Sequence, residues 1–448
     1  MATLGLRREI GLARATAMVV GTIIGASIFV QPSLVSGAVP SVTGMLLVWA
    51  VAGILTLIGA LVAAELASAF PGTGGVYVFL RESYSPAVGF LWCWAMFWSM
   101  HTGIIAAIAM VCARYIGFFV PLGDTGTRIV AIAAILVFSA INYVGVRHGT
   151  IVQTSFTVVK VAAVVLIAVA GLVASGAAPA PSGVAAPAIV PSLRAFASAT
   201  VAGLFAFGGW HMVTYTGDET VDARRTIPRA LLIGTLAVTA SYIAVNAAYL
   251  SVLSPAAVAA SNRVAADFAD RVLGTGGAAA MSALVILSTL GAMTGIILTG
   301  PRVYLAAAND GLLTRWIGAV HPRFGTPHHA IALQAVWACI LVATGSYRAL
   351  FTRVVYTEWI FFGLMAAGIF VLRRRPGYAP GYRAWGYPVL PALFIVSSAV
   401  IVINQLAADP VDSAIGLLIV LAGLPVYYLR TSRRRSPRSV SNADSRRS

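Results

Sequence analysis

Charge is scarce in this chain. Only 10% of its 448 residues are charged, against a hydrophobic share of 59% and a mean hydropathy of +0.89. Soluble domains run near 25% charged, and a water-facing surface needs polar residues to cover it. That shortage excludes a cytosolic enzyme and a disordered chain. Cysteine is also rare, at three residues. Cys93, Cys112 and Cys339 all fall inside apolar segments with no CxxC spacing, which excludes a secreted disulfide scaffold and a thiolate metal centre. Lysine is almost absent: 29 of the 30 basic residues are arginine. The first residues, 1-MATLGLRREIGLARA-15, lack a small-residue cleavage site after a short apolar core, so no removable signal peptide is read there.

What is abundant is long apolar sequence. A membrane-crossing helix needs about 20 apolar residues. Twelve such segments are expected, at roughly 15–33, 42–66, 88–118, 127–145, 153–175, 195–215, 230–253, 278–306, 329–345, 350–372, 388–406 and 411–430. An even number places both ends on one side. The arginines choose which side. One set of breaks, with both termini, holds 22 basic residues, and the other holds 7. The rich set is expected in the cytoplasm. A net charge of +16 spread in this way reads as membrane orientation and not as a nucleic-acid-binding face.

Two segments carry glycines at mid-membrane: 21-GTIIGASIF-29 in the first and 203-GLFAFGGW-210 in the sixth. Glycine also serves close helix packing. Interruptions at corresponding places in two halves, however, are the sequence sign of an inverted-repeat transporter. A broken helix bares N–H and C=O groups, which membrane depth tolerates only beside a cavity. The start of the second half-helix suits a carboxylate, and the carbonyl end of the first suits an ammonium. Two broken helices side by side therefore match both charges of a zwitterionic amino acid.

The single lysine, Lys160, lies inside the fifth segment. A cation at mid-helix costs about 2.5–3.5 kcal/mol on insertion scales. Two readings stand: snorkelling to the cytoplasmic interface, roughly 10 Å away at 1.5 Å per residue, or a fixed internal cation beside the breaks. The second predicts sodium-independent transport. His211, directly after the paired glycines, is read either as a pocket-lining, proton-sensing group or as a hydrogen-bonded structural histidine. His101 and Glu358 lie in or near segments three and ten, with Glu358 placed close to the outer interface. Glu65 is read as an architectural anchor. The mixed-charge run 218-DETVDARRTIPRA-230 is read as a solvated cytoplasmic loop. Met100 and Ile104 are apolar candidates for the pocket wall, with no acidic side chain expected at the breaks. No Ser/His/Asp, Cys/His or paired-carboxylate arrangement accompanies the breaks, so neither an enzyme nor a cofactor is expected.

Five stretches in order resemble the amino acid–polyamine–organocation (APC) superfamily, most closely its L-type amino acid transporter branch and bacterial relatives. They are 20-VGTIIGASIFVQPS-33, 64-AELASAFPGTGGVYVFLRESYSP-86, 203-GLFAFGGWHMVTYTGDETVDARRTIPRAL-231, 291-GAMTGIILTGPRVYLAAANDGLL-313 and 320-VHPRFGTPHHAI-331. The resemblance implies an all-α membrane protein of twelve transmembrane helices in a five-plus-five inverted repeat (the LeuT-like arrangement), with helices 1 and 6 broken and two helices added. It divides the chain into a cytoplasmic N-terminus (1–14), a first repeat (15–175), an external linker (176–194), a second repeat (195–372), helices 11 and 12 (388–430) and a basic cytoplasmic tail (431–448).

The resemblance further implies alternating access around a central amino acid site. The amides of Gly25, Ala26 and Ser27 would hold the carboxylate. The carbonyls near Ile23 and Ile24, with those of Phe205, Ala206 and Gly208, would take the amino group. The Phe205 ring would act as an outer gate, and Lys160 would stand in place of a sodium ion, touching Gly21 and Thr294. The family's usual Gly-Ser-Gly is Gly25-Ala26-Ser27 here. His211 stands where members of the branch often have asparagine or another polar residue, and Thr294 where asparagine is frequent. The loop 119-FVPLGDTGT-127 lacks the cysteine through which eukaryotic members join a heavy chain, so no disulfide-linked partner is expected. Ala- and Arg-rich composition points to a bacterial inner membrane, with lipid and an amino acid substrate as the partners. The competing readings are a proton-coupled or antiporting permease for basic amino acids or polyamines, and an amino-acid-sensing receptor.

Overall fold

Uninterrupted apolar sequence, started by serine caps and proline, produces long helices. Ser41, Ser85, Ser192 and Ser254 each accept a hydrogen bond from the backbone N–H three residues on, at 3.1–3.4 Å. Pro86 and Pro255 follow two of them at the first helical position, where a missing N–H costs nothing. The computed structural model describes residues 6–25, 27–177, 192–261, 263–274, 276–345 and 347–435. Ala26, most of the expected linker 176–194 and most of the tail 431–448 lie outside the described residues.

The helices, in order, are α1 (Leu12–Ile23), α2 (Ser27–Ala38), α3 (Val42–Ala69), α4 (Val76–Ser83), α5 (Pro86–Ala95) and, after a π-helical turn at Met96–Met100, α6 (His101–Ile116). They continue with α7 (Asp124–Val144), α8 (Val146–Ala177) and α9 (Leu193–Ala206), which leads into a 3-10 stretch, Trp210–Glu219. The remainder are α10 (Ala223–Val252), α11 (Pro255–Ala260), α12 (Val264–Leu273), α13 (Gly277–Asn309), α14 (His328–Thr344), α15 (Tyr347–Leu372), α16 (Val389–Ala408), α17 (Pro410–Leu421) and α18 (Gly423–Arg435). Among the described residues nine helical runs are long and apolar enough to cross a bilayer, and the bent pair α1–α2 makes a tenth. The expected segments near 329–345 and 350–372 fall on the shorter apolar stretches His328–Thr344 and Tyr356–Leu372. The stretch between α10 and α13, which falls between two expected spans, holds α11 and α12. The apolar face of α12, with Val264 and Phe268, is buried.

Burial separates the bundle's centre from its lipid-facing rim. The apolar windows of α13 and of Pro86–Ile116 are each 78% buried, against 22% for α16 and for Pro410–Ser432. Helix α8 shows both environments at helical spacing. Val158, Val165, Leu166 and Val169 are exposed, whereas Thr157, Lys160, Val164 and Ile167 are buried on the other face. Lys160 therefore points inward, and the snorkelling alternative is set aside.

Two buried carboxylates hold the ends of the bundle together. Glu65 is fully buried and takes Arg373 Nε at 2.9 Å, Arg373 Nη2 at 2.5 Å, the Ala384 N–H at 2.7 Å and the Tyr378 hydroxyl at 3.3 Å. This fits the anchor reading. Glu219 corrects the reading of the 218–230 run as a solvated loop. Its side chain is 0% exposed and paired with the equally buried Arg302 of α13, at 2.9 and 2.8 Å. From Ala223 onward the run is already helical.

Candidate functional site

The first break follows from the glycines around it. Helix α1 ends at Ile23, Ile24 turns to extended backbone (φ −70°, ψ 96°), and α2 starts at Ser27, bent by 46° from α1. In the second, α9 stops at Ala206, and Gly209 adopts φ +97° before the 3-10 stretch begins. That φ suits glycine. A Cβ there would also lie 2.9 Å from the Thr22 carbonyl oxygen, so the two breaks touch through a position without a side chain. The Thr22 hydroxyl, 3.2 Å from the Gly209 carbonyl, adds a direct bond between them.

A cavity of about 100 Å³ opens at this junction. Ile23, Gly25, Ser27, Phe205, Ala206 and Gly208, all expected at the site, line it together. The start of α2 offers unpaired N–H groups at one part of this wall, the arrangement that binds anionic groups. Side chains from α6, α13 and α15 complete the enclosure, among them Ile104, Ile296 and Trp359.

The freed carbonyls are shared among three partners. Lys160 Nζ donates to Gly21 O at 3.0 Å and to Ile24 O at 2.7 Å. Gly291 of α13 leaves room for the amine, since a Cβ there would come within 3.2 Å of Nζ. The buried Tyr242 hydroxyl lies 3.1 Å from Ile23 O and 2.9 Å from Ala206 O, so one O–H group spans both breaks. Phe205 O accepts the Gly208 N–H at 3.2 Å. Each carbonyl has two lone pairs and keeps capacity for a ligand.

Some expected residues stand elsewhere. The Thr294 hydroxyl donates to Leu290 O within its own helix at 2.8 Å, and Thr294 O receives Asn142 Nδ2 at 3.4 Å. His211 is fully buried and packs against Trp210 and Phe362, both of which line the cavity, so it sits one layer behind the wall. Neither of its ring nitrogens has a hydrogen-bond partner among the described residues. Met100 is buried in the π-helical turn and is not part of the lining. Two groups were missed. Tyr242 has no local sequence signal, being one of 15 tyrosines on a regular helix. Glu358, assigned to the outer interface, instead lines the cavity.

Tyr242→Phe tests the shared hydroxyl. The ring keeps its contacts with Trp49 and Phe207, so folding is expected to persist. Loss of one buried bond, worth about 1 kcal/mol, is expected to lower apparent substrate affinity roughly fivefold in binding titrations. Unchanged affinity would show that the breaks hold their geometry without it.

A bundle of apolar helices closed around a cavity where two of them are interrupted defines a multi-pass membrane transport protein. Residues 10–427 match the amino acid permease family. The chain is 32% identical to large neutral amino acids transporter small subunit 2 of Homo sapiens, over 98% of this chain and 83% of that protein. It is 30% identical to Asc-type amino acid transporter 1 of Mus musculus, over 97% and 83%. It is 33% identical to serine/threonine exchanger SteT of Bacillus subtilis (strain 168), over 96% and 99%. The chain belongs to the amino acid permease family, and it is a transporter, not an enzyme.

Proposed function

We propose that this protein exchanges neutral L-amino acids across the membrane, without sodium, by alternating access around the cavity between its two broken helices. One observation carries the reading: the backbone of both breaks lines a single cavity, with an amine already fixed beside it on Gly21 and Ile24. The start of α2 holds the substrate carboxylate through the amides of Gly25, Ala26 and Ser27. The carbonyls of the α1 and α9 ends hold its ammonium. Phe205 covers the site from outside. Relatives named for large neutral amino acids and for serine and threonine support the substrate class.

In this reading the helices form twelve spans in a five-plus-five inverted repeat with two added, and both termini lie on the arginine-rich cytoplasmic side. No disulfide-linked partner is required, since Cys93 and Cys112 are buried and Cys339 lies within α14.

Proteoliposomes loaded with unlabelled neutral amino acids are expected to accumulate labelled substrate by counterflow. Absence of counterflow with every neutral amino acid sinks the proposal. Because Lys160 supplies the positive charge at the first break, replacing sodium by choline on both sides is expected to leave the rate within about twofold. Each tenfold change corresponds to about 1.4 kcal/mol of coupling, so a tenfold fall in choline would mean that sodium binds after all.

A further inference from the structure

Resting on the proposed function, we infer that Glu358 sets side-chain specificity, its carboxyl exchanging a hydrogen bond with a hydroxyl on a short substrate side chain. Glu358 is the only ionisable residue among the described residues lining the cavity. It is 6% exposed, and its Oε1 is buried with no hydrogen-bond partner. Both threonine hydroxyls of the wall are already occupied. The Thr56 hydroxyl donates to Ala52 O at 2.8 Å, and that of Thr22 lies against the carbonyls of Met18, Val19 and Gly209. Lys160 is held by the first break.

An unmet carboxyl oxygen buried in a largely apolar wall is unfavourable and is retained where a ligand meets it. The neighbouring wall narrows the choice of ligand group. Trp359 and Phe362 flank Glu358 on α15, and Ile104 and Ile296 line the same cavity. These surfaces accept methyl and methylene groups. A hydroxyl both donates and accepts, so it satisfies the carboxyl in either protonation state. An apolar isostere leaves Oε1 unmet, and sites built to bond a hydroxyl reject such analogues strongly.

The test compares isosteric pairs, threonine with valine and serine with 2-aminobutyrate, as competitors in counterflow by the full-length protein. In the wild type the hydroxyl member of each pair is expected to bind about tenfold tighter or better, the effect of one unmet buried hydrogen bond. Glu358→Gln keeps the shape and an accepting oxygen, so the preference should stay within about threefold of wild type. Glu358→Leu is expected to bring the ratio within about twofold of unity while valine is still carried, because both members then meet an apolar wall. Wild-type ratios near one overturn the inference, and so does a preference that Glu358→Leu leaves intact. Lysine outcompeting threonine overturns it in favour of a cation subsite. The wild-type ratios decide even if Glu358→Leu fails to fold. Counterflow of no neutral amino acid at all removes the proposed function, and this inference with it, whereas counterflow without hydroxyl preference removes this inference alone.

Discussion

Lys160→Met is expected to reduce counterflow more than about a hundredfold while leaving a folded protein. The methionine keeps an apolar stem of similar length in the space beside Gly291 and removes only the amine. Two bonds from a charged donor to the Gly21 and Ile24 carbonyls are lost with it. At about 1.5–3 kcal/mol each, their loss exceeds the roughly 2.7 kcal/mol that a hundredfold change in rate represents. The effect should fall on transport more than on melting temperature, because both carbonyls sit at the break, and the rest of α1 retains its own ladder. Lys160→Ala is expected to match it in transport, with further destabilisation from the emptied stem. Near-normal exchange by Lys160→Met would reduce the lysine to a packing residue on α8 and would remove the physical basis for sodium independence.

The parts of this architecture that could be read from sequence are those where one residue type breaks a local rule. Glycines at 21, 25, 208 and 209 interrupt runs that are otherwise helical, and the chain unwinds between them. A lone lysine in apolar sequence announces an internal partner, and the period of exposed valines on α8 confirms which way it points. What sequence concealed are contacts across long separations. Tyr242 sits on a regular helix and becomes significant only because α10 packs beside α1 and the α9 terminus. Glu358 stands near the start of an apolar run, where depth in the membrane is ambiguous by a turn or two, and folding places it in the cavity wall instead of at the interface. The Glu219 run misled for a similar reason: a cluster of charges usually means a solvated face, and its counter-ion lies 83 residues away on another helix.

Breaking that last pair should produce a large loss of stability. Glu219 and Arg302 are both fully buried and joined by two parallel bonds, and Arg302 Nη1 also donates to the Leu298 carbonyl. Glu219→Leu leaves a guanidinium charge in a dry interior, at a cost of about 3–5 kcal/mol. A fall of several degrees in the unfolding midpoint in detergent is expected. The backbone bonds made by the Glu219 carbonyl to the N–H groups of Glu9 and Ile10, each 3.0 Å, do not involve the side chain and should survive. Hence the N-terminus stays docked, and the loss reports the ion pair itself. Arg302→Met should cost a similar amount, leaving the opposite charge stranded. The double variant Glu219→Leu, Arg302→Met should recover most of the stability, because replacing a buried pair by apolar groups is often neutral. Its transport is the informative measurement. The pair joins the end of the second broken span to α13, the helix that leaves room for the Lys160 amine, so full stability with slowed exchange would make it a coupling between the two breaks and the bundle. Additive losses in the two single variants, with no recovery in the double, would instead show that the two side chains contribute independently.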